Sequence, residues 1–367
     1  MTALSQDEIL VWLIERDPQR LRDLHAQADR VRARHVGNAI HLRGLIEISS
    51  HCVRQCMYCG LRRGNHALER YRMSEEEIFA SAADAVRFGY GTVVMQAGED
   101  SALDAEWIAH LVRTIKRTTP LAVTLRLGER TAADLALWRR AGADRYLLRF
   151  ETSDPVLYRF IHPALFHAAP NRIELLGLLK SLGYEAGGGV MVGIPGQSYA
   201  SLATDIALFR QLDLDMIGIG PYIAHPHTPL GAGLLQPEID AAEQVPNTEE
   251  MVLKAIALAR LIRPDANIPA TTALATINKV DGRKRGFLAG ANVAMPNLTP
   301  TRYRKLYSIY PNKACIEESA TDCNACLSGQ IHSVGRFVGR SPGSRGGREI
   351  PPSTIDFSSP QLVQLHA

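Results

Sequence analysis

The chain lacks the features that mark a membrane protein or a nucleic-acid-binding protein. Its 367 residues contain no uninterrupted apolar run of the ~18 residues that a membrane-spanning helix needs. The 41 basic side chains are almost balanced by 38 acidic ones, and the net charge is only +3. Composition therefore indicates neither a nucleic acid nor an anionic membrane as a partner, and partners must be inferred from specific sites.

A secretion signal is also missing from the N-terminus. Asp7 and Glu8 interrupt the segment MTALSQDEILVWLIERDPQR, which has neither a basic start nor a following apolar core. We therefore expect a cytoplasmic protein. Because that compartment is reducing, disulfides are unusual there, and the six cysteines point to metal binding or redox chemistry.

The middle of the chain contains no cysteine at all, from Leu61 to Ala314. The cysteines form two triplets, one near each end: Cys52, Cys56 and Cys59, and Cys315, Cys323 and Cys326. Two separate sites are the simplest interpretation.

Hydrophobicity alternates along the chain in a way that predicts an α/β fold. Eight short apolar runs are separated by amphipathic stretches, which is typical of parallel strands connected by helices. The runs are LRGLIEIS from Leu42, TVVMQAG from Thr92, LAVTLRLG from Leu121, DRYLLRFE from Asp144, GGVMVGIPG from Gly188, MIGIGPYI from Met216, NIPATTA from Asn267 and GANVAMPN from Gly290. Eight repeats, with no GxGxxG motif after the first run, favour a complete (β/α)8 TIM-type barrel over an open doubly wound sheet.

Extensions flank this barrel. We predict an N-terminal helical extension over 1–42, with a helix over 5–34, a barrel over 43–300 and a C-terminal extension over 301–367 that carries the second triplet. Ser74 and Glu77 predict a capping box at the start of one barrel helix. From about Gly335 the composition is rich in Gly, Ser, Pro and Arg, which predicts an extended tail along the surface with solvated basic side chains: Arg336, Arg340, Arg345 and Arg348.

The first triplet has the spacing C-x3-C-x2-C, on a loop after the first predicted strand. Three thiolates so close together can each bind one iron of a four-iron cluster, leaving the fourth iron open to a small chelating molecule. The alternative is a zinc site completed by His51 or His66, but no second half of a zinc motif lies nearby. His225 and His227, which flank a proline, are interpreted as turn residues rather than metal ligands.

The loop CVRQCMYCG resembles the radical S-adenosylmethionine (SAM) superfamily, whose C-x3-C-x2-C motif binds a [4Fe-4S] cluster. The resemblance implies that SAM chelates the open iron and is cleaved reductively to a 5′-deoxyadenosyl radical. The stretches VVMQAGED, DRYLLRFETSDPVLYR, MVGIPGQ, MIGIGPYIAHPHTPL and IPATTALATI resemble more narrowly the HydE family of [FeFe]-hydrogenase maturases. Single pieces are shared with biotin synthase and methylornithine synthase.

This narrower resemblance implies a function in building the hydrogenase H-cluster. The substrate would be a small anionic precursor that contains sulfur or iron, and the partners would be an electron donor protein and the other hydrogenase maturases. Residues implied to contact SAM are Tyr58, Gln96, Glu99, Glu151 and Arg172. From the residues alone, Arg172 could equally be a solvated helix residue, and Glu151 could pair with Arg149 or Arg145.

A substrate group is implied at Thr124, Arg145, Thr271 and Thr272. Arg145 and Arg149 are four residues apart on one predicted strand, so both point to the same face, about 13 Å apart. An arginine inside a barrel needs an anion or a buried carboxylate such as Glu151. The threonines could instead be ordinary packing residues of strands.

The second triplet, C-x7-C-x2-C, predicts an accessory iron-sulfur cluster, with zinc or free thiols as alternatives. Biotin synthase would need cysteines on the barrel strands, which this chain lacks. Methylornithine synthase is separated from this chain chiefly by the IPATTA segment and the late triplet. A scaffold that carries iron without radical chemistry is the third alternative.

Overall fold

The computed structural model describes residues 4–164 and 171–347, and its central element is a parallel β-sheet. The strands are β1 Ala39–Ser49, β2 Thr92–Ala97, β3 Ala122–Arg126, β4 Arg145–Leu147, β5 Glu185–Val192, β6 Met216–Pro221, β7 Val293–Ala294 and β8 Phe337–Gly339. The helices are α1 Gln6–Ile14, α2 Pro18–Val36, α3 Glu75–Arg87, α4 Ala105–Thr118, α5 Ala132–Arg140, α6 Pro155–Ile161, α7 Arg172–Ser181, α8 Tyr199–Gln211, α9 Glu249–Ile262, α10 Thr272–Ile277, α11 Gly282–Leu288, α12 Thr301–Arg304 and α13 Ala320–Ser333. Within the described ranges no helix is long and apolar enough to cross a membrane.

Seven strands form one continuous path in the order β6-β5-β4-β3-β2-β1-β7, all of them parallel. Both faces are buried, as the near-continuous apolar runs predict. The run NIPATTA forms no strand. Single bridges join its Asn267 to Met216 of β6 and its Pro269 to Val293 of β7. The α/β class is thus as predicted. Seven strands lie on one continuous path, β8 pairs with β1 beside that path, and the complete eight-stranded barrel is not established.

The predicted N-terminal helix is two helices. Asp17 caps α2 by accepting hydrogen bonds from the backbone of Gln19 at 2.7 Å and Arg20 at 2.9 Å, and Pro18 is its first residue. A residue before proline avoids helical conformation, so α1 ends before this point. The predicted capping box of α3 is present, with Glu77 accepting from the Ser74 backbone at 2.8 Å.

The C-terminal segment differs most from its prediction. β8 pairs in parallel with the beginning of β1, where Ala39 lies opposite Phe337. Residues 341–345, called here the C-terminal plug, then pass beneath the first residues of the strands. The Pro342 carbonyl accepts hydrogen bonds from Thr92 and Arg145, both at 3.1 Å, and the Gly343 carbonyl accepts from Arg43 at 3.1 Å.

Arg345 fixes the plug with charge. Its guanidinium contacts Asp215 at 2.7 Å and Asp265 at 2.7 Å, and its backbone donates to Glu185 at 2.7 Å. The side chain is only 7% exposed. The prediction of a solvated tail was therefore wrong for Arg345, whose guanidinium is held by the carboxylates of Asp215 and Asp265. It was also wrong for Arg336, whose side chain is 9% exposed and pairs with Asp29. Arg348 lies outside the described residues.

Candidate functional site

The cysteine loop is held in place by backbone hydrogen bonds to three other parts of the chain. Val53 donates to the Glu99 carbonyl at 2.9 Å, Met57 to Ile161 at 2.9 Å, and Gly60 to Ile309 at 3.0 Å. Gly60 lies so close to its neighbours that a Cβ would be 2.1 Å from the Ser308 carbonyl oxygen. These contacts hold the loop at the carboxyl end of β1, where barrel enzymes place their chemistry.

All three thiols of the loop line one space, called here the cysteine-side cavity. Burial, together with the charge of Cys52, raises the pKa of Cys59 to about 12, and burial raises that of Cys56 well above its ordinary value. Bare thiolates would be costly at this place, whereas bound iron would compensate their charge. The donor set thus fits three ligands of a [4Fe-4S] cluster.

Histidines give no support to the zinc alternative. His66 is exposed, and within residues 4–164 and 171–347 no group of three or more His, Cys, Asp or Glu is arranged to hold a single ion. His225 is buried against Gly60, and its Nδ1 accepts a hydrogen bond from the His227 backbone at 3.1 Å. His225 therefore supports the cysteine loop as a turn residue.

The five residues implied to contact SAM all line the cysteine-side cavity: Tyr58, Gln96, Glu99, Glu151 and Arg172. They come from four different parts of the chain, and the structure brings them together beside the three thiols. Gln96 accepts a hydrogen bond from Arg126 at 2.7 Å, and the Tyr58 hydroxyl lies 2.9 Å from Nε2 of His162. Their contacts with SAM remain predictions.

Two arginines and two glutamates form a closed ring of ion pairs at this cavity. Glu99 contacts Arg54 at 2.6 Å and Arg172 at 2.9 Å, and Glu129 contacts Arg172 at 2.8 Å and also Arg54. No side chain of the ring is more than 12% exposed. The ring is electrically neutral, so its charges can be buried, and its members can exchange partners with a zwitterionic ligand.

Glu151 has a strained backbone at the end of the fourth apolar run. Its φ is 65°, a conformation that side chains other than glycine rarely adopt, and such strain is concentrated at functional sites. Its carboxylate pairs with Arg149 at 2.7 Å. Of the two arginines considered for Glu151, Arg149 is therefore the partner.

A second space, called here the inner cavity, lies deeper between the strands. It shares Gln96, Arg126, Leu147 and Arg149 with the cysteine-side cavity. Three of the predicted substrate residues line it: Thr124, Thr271 and Thr272. In the described part of the chain, the buried hydroxyl of Thr124 and Nε of Arg149 have no hydrogen-bond partner, which suits an anionic ligand.

Arg145, the fourth predicted substrate residue, lines neither cavity. It is fully buried at the first position of β4 and pairs with Glu185, while its other donors bind Thr92 at 3.1 Å and the plug residue Ser344 at 3.0 Å. Its required carboxylate is thus Glu185 rather than Glu151. The interpretation of Arg145 as a substrate residue is corrected accordingly, because the plug occupies the space that it faces.

Sequence reasoning missed several charged residues of the inner cavity. Arg126 follows Thr124 by two residues on β3, so period-2 alternation could have placed both side chains on one face. Lys313 binds Glu47 of β1 at 2.8 Å, and both are buried. No local pattern indicates this pair, since the two residues meet only through the fold.

In the second cysteine triplet, Cys323 and Cys326 lie on α13, and Cys315 precedes that helix. The Cys315 thiol accepts from Arg283 at 3.6 and 3.7 Å, and Cys326 is exposed. The pKa of Cys315 is lowered to about 6, mainly by a hydrogen bond from Cys323 and to a smaller extent by the charge of Arg283. A second cluster at these residues remains a prediction.

Comparison with known proteins agrees with this geometry. The radical SAM superfamily matches residues 46–209, which include the cysteine loop and strands β2 to β5. The [FeFe] hydrogenase maturase subunit HydE of Thermotoga maritima is 46% identical over 318 residues, which are 87% of this chain and 87% of that protein. The 3-methylornithine synthase of Methanosarcina acetivorans is 28% identical over 79% of this chain and 78% of its own.

A crystal structure of methylornithine synthase (PylB) superimposes with a TM-score of 0.77, covering 92% of this chain and 94% of that chain. Its 23% identity supports the fold alone. Biotin synthases match over smaller shares of the chain. The chain therefore belongs to the radical SAM superfamily and, within it, to the family of the HydE maturase. It is a radical SAM enzyme, and membership implies a [4Fe-4S] cluster and SAM as cofactors.

Proposed function

We propose that Cys52, Cys56 and Cys59 hold the [4Fe-4S] cluster and that the enzyme cleaves SAM to act on a precursor of the [FeFe]-hydrogenase H-cluster. When bound, the cluster supplies the electron for cleavage. Arg172 would take the SAM carboxylate in a two-pronged contact, and Glu99 would take the ammonium group. The neutral ring of ion pairs with Arg54 and Glu129 holds Arg172 and Glu99 side by side at the cavity, where each could give up a partner in the ring for a charged group of SAM.

The substrate is proposed to be a small anionic species that contains sulfur or iron and binds in the inner cavity. Thr124, Thr271 and Thr272 would donate hydroxyl hydrogen bonds, and Arg149 would supply charge from the wall shared with the SAM site. The observation that carries the proposal is the arrangement of the two cavities: three thiols line the first, and the second, which has unsatisfied polar donors, shares part of its wall.

Reconstitution with iron and sulfide under anaerobic conditions tests the chemistry. We expect that the reduced protein releases 5′-deoxyadenosine from SAM and that SAM changes the electron paramagnetic resonance spectrum of its cluster. The double variant Cys52→Ala/Cys56→Ala should do neither. Substrate assignment is tested by adding the enzyme to inactive [FeFe]-hydrogenase with the other maturases; an active hydrogenase that forms equally well without it would contradict the proposal.

We also propose the finer features that accompany this function. The segment 267–269, bridged on both sides, would complete the barrel as a reduced eighth strand. Partners would be an electron donor protein and further maturases, among them HydG, itself a maturase of the [FeFe]-hydrogenase. This chemistry needs a reducing compartment, so we expect it in the cytoplasm. The second triplet would hold an accessory iron-sulfur cluster.

One rival is favoured by a specific observation, the structural similarity to methylornithine synthase. Formation of methylornithine from lysine by the reconstituted enzyme would replace the hydrogenase assignment. Biotin synthesis is disfavoured because no cysteine lies between Leu61 and Ala314 to hold a sulfur-donating cluster. Release of 5′-deoxyadenosine would eliminate the scaffold without radical chemistry.

A further inference from the structure

A buried carboxylate that the proposed chemistry does not use lies on α8. Asp205 is 0% exposed, and its Oδ1 accepts hydrogen bonds from the backbone N–H of Ser153 at 2.5 Å and from the Ser153 hydroxyl at 2.6 Å. Among the described residues no cationic side chain lies within ion-pair distance of it. Since a buried acid without a cation is costly, we looked for what these two bonds hold in place.

Burial changes the protonation of this side chain. It raises the pKa of Asp205 to about 7, although hydrogen bonds from Ser153 oppose the shift. The side chain therefore acts as a hydrogen-bond acceptor rather than as a permanent charge. An asparagine oxygen could accept both bonds, whereas a leucine of similar size could accept neither. These two substitutions separate the role of the acceptor from the role of the volume.

A strained turn directly precedes Ser153. The backbone of Thr152 donates to the carbonyl of Phe150 at 2.8 Å, which closes a three-residue turn with Glu151 at its centre. At the φ of 65° found for Glu151, this is the rare and strained form of such a turn. Strain of this kind persists only where the surrounding contacts fix the backbone.

Helix α8 fixes the chain on both sides of that turn. Before the turn, the ring of Phe150 packs against Phe209, with ring centroids 6.1 Å apart. After the turn, Ser153 is bound by Asp205. Phe209 and Asp205 are four residues apart on the helix, so they lie on one face of it and can hold the same segment.

Strand β5 holds the centre of the turn. The Glu151 N–H donates to the Gly189 carbonyl at 3.1 Å, and the Glu151 carbonyl accepts from the Met191 N–H at 3.1 Å. These bonds fix where Glu151 lies relative to the sheet. The first backbone N–H beyond the turn, that of Ser153, goes to Asp205 instead. This bond therefore sets the direction in which the chain leaves Glu151.

We propose that Asp205 is a positioning residue for SAM, which through Ser153 holds the strained turn that aims the Glu151 carboxylate into the cysteine-side cavity. The inference rests on the proposed contact of Glu151 with SAM, in which the carboxylate would accept hydrogen bonds from the ribose hydroxyl groups. Asp205 itself lines neither cavity, so its effect on SAM passes through the turn. Without this bond the turn can relax to a negative φ, which takes the carboxylate away from the cavity.

The affinity of the reconstituted, unreduced enzyme for SAM tests this role, because SAM binds there without being cleaved. By equilibrium dialysis we expect Asp205→Leu to raise the dissociation constant about tenfold, since the Glu151 contact is lost. Asp205→Asn keeps the acceptor and should stay within about twofold of the wild type. The control Ile206→Ala lowers stability on the same helix, at a fully buried apolar side chain, and should leave the affinity unchanged.

A double-mutant cycle shows whether the effect passes through Glu151. Glu151→Ala alone should raise the dissociation constant, and adding Asp205→Leu should raise it no further. If Asp205→Leu does not fold, Ser153→Ala takes its place in the cycle, because it removes one of the two bonds to Asp205. For Ser153→Ala we expect an increase of about threefold, which should likewise be absent when Glu151 is already alanine.

The proposal is overturned by an Asp205→Leu enzyme that binds SAM like the wild type, or by an Asp205→Asn enzyme that loses as much affinity as Asp205→Leu. It is also overturned if the two changes of the cycle multiply, since Asp205 would then act independently of Glu151. Cleavage of SAM by the wild-type enzyme reports separately on the proposed function. Any of these results with an active wild type contradicts the role of Asp205 alone, whereas an inactive wild type contradicts the proposed function.

Discussion

Replacing Arg345 by alanine should loosen the floor of the inner cavity. The guanidinium holds Asp215 and Asp265, both at 2.7 Å, and anchors the plug whose Gly343 carbonyl binds Arg43 of the cavity wall. Removing one partner of a buried ion pair costs about 3 to 5 kcal/mol because a carboxylate loses its counter-charge.

The expected cost for Arg345→Ala is at the lower end of that range. Asp215 is 9% exposed and keeps a weak partner, Lys180, at 3.4 Å, while Asp265 is 30% exposed and can be hydrated. We therefore expect a loss of about 3 kcal/mol, which corresponds to a melting temperature lower by about 4 °C for a chain of 367 residues. Hydrogen exchange should become faster along β1 near Arg43, where the plug binds.

The assay is thermal unfolding of the reconstituted enzyme under anaerobic conditions. Arg340→Ala is the matched control, because Arg340 is exposed and lies in the same segment. Adding Asp215→Asn to Arg345→Ala should recover part of the loss, since the buried charge is then gone as well. An Arg345→Ala enzyme that melts like the wild type, with unchanged exchange along β1, would refute the reasoning that the plug is held by these ion pairs.

Three further changes test other parts of the structure. Glu99→Gln should weaken SAM binding about tenfold or more, because a charged hydrogen bond is lost. The control Glu106→Gln, at an exposed position, should leave SAM binding unchanged. If equilibrium dialysis gives the Glu99→Gln enzyme and the wild type the same affinity for SAM, the role of Glu99 is contradicted. Thr124→Val should keep or slightly raise the melting temperature, because the Thr124 hydroxyl has no partner within the described structure. The same change should reduce hydrogenase maturation. Unchanged maturation would remove Thr124 from the substrate group. Burial, with the nearby charge of Arg43, lowers the pKa of His41 to about 4. The neutral ring therefore contributes to the free energy of unfolding in full above pH 6.5, and this contribution should be lost as the pH falls from 6.5 to 4. For this partly exposed ring we expect a loss of about 2 kcal/mol. His41→Gln should flatten this slope of unfolding free energy against pH, and an equal slope would show that another group titrates.

Local patterns were sufficient for much of the fold. Seven of the eight apolar runs are strands, and the helix over Glu75–Arg87 begins at its predicted cap, because burial on both faces and capping are local properties. The run at Asn267 failed because Pro269 cannot donate to a ladder, and only single bridges form there. The cysteine loop was recognisable because its ligands are close in sequence.

Contacts between distant residues were not predictable from local patterns. Arg145 and Arg149 were predicted to share one strand and one face, but β4 ends at Leu147. Arg145 therefore faces the plug, whereas Arg149, two residues beyond the strand, lines both cavities. Nothing in the composition of the tail distinguishes Arg345, which is buried, from Arg340, which is exposed. The partners that decide between them, Asp215 and Asp265, are more than a hundred and about eighty residues away, respectively.

The pairing of β8 with β1 also sets an order of events during synthesis. β1 leaves the ribosome early, whereas Phe337–Gly339 and the plug follow only after most of the sheet has been made. At about 5 to 20 residues per second, β1 waits roughly 15 s or longer for these residues, and the sheet that is complete at β7 waits roughly 3 to 10 s with its underside open. Newly made enzyme thus passes through an unsealed stage in which its interior is in contact with the surrounding solvent, and only a chain that has been extended through Arg345 can shut it.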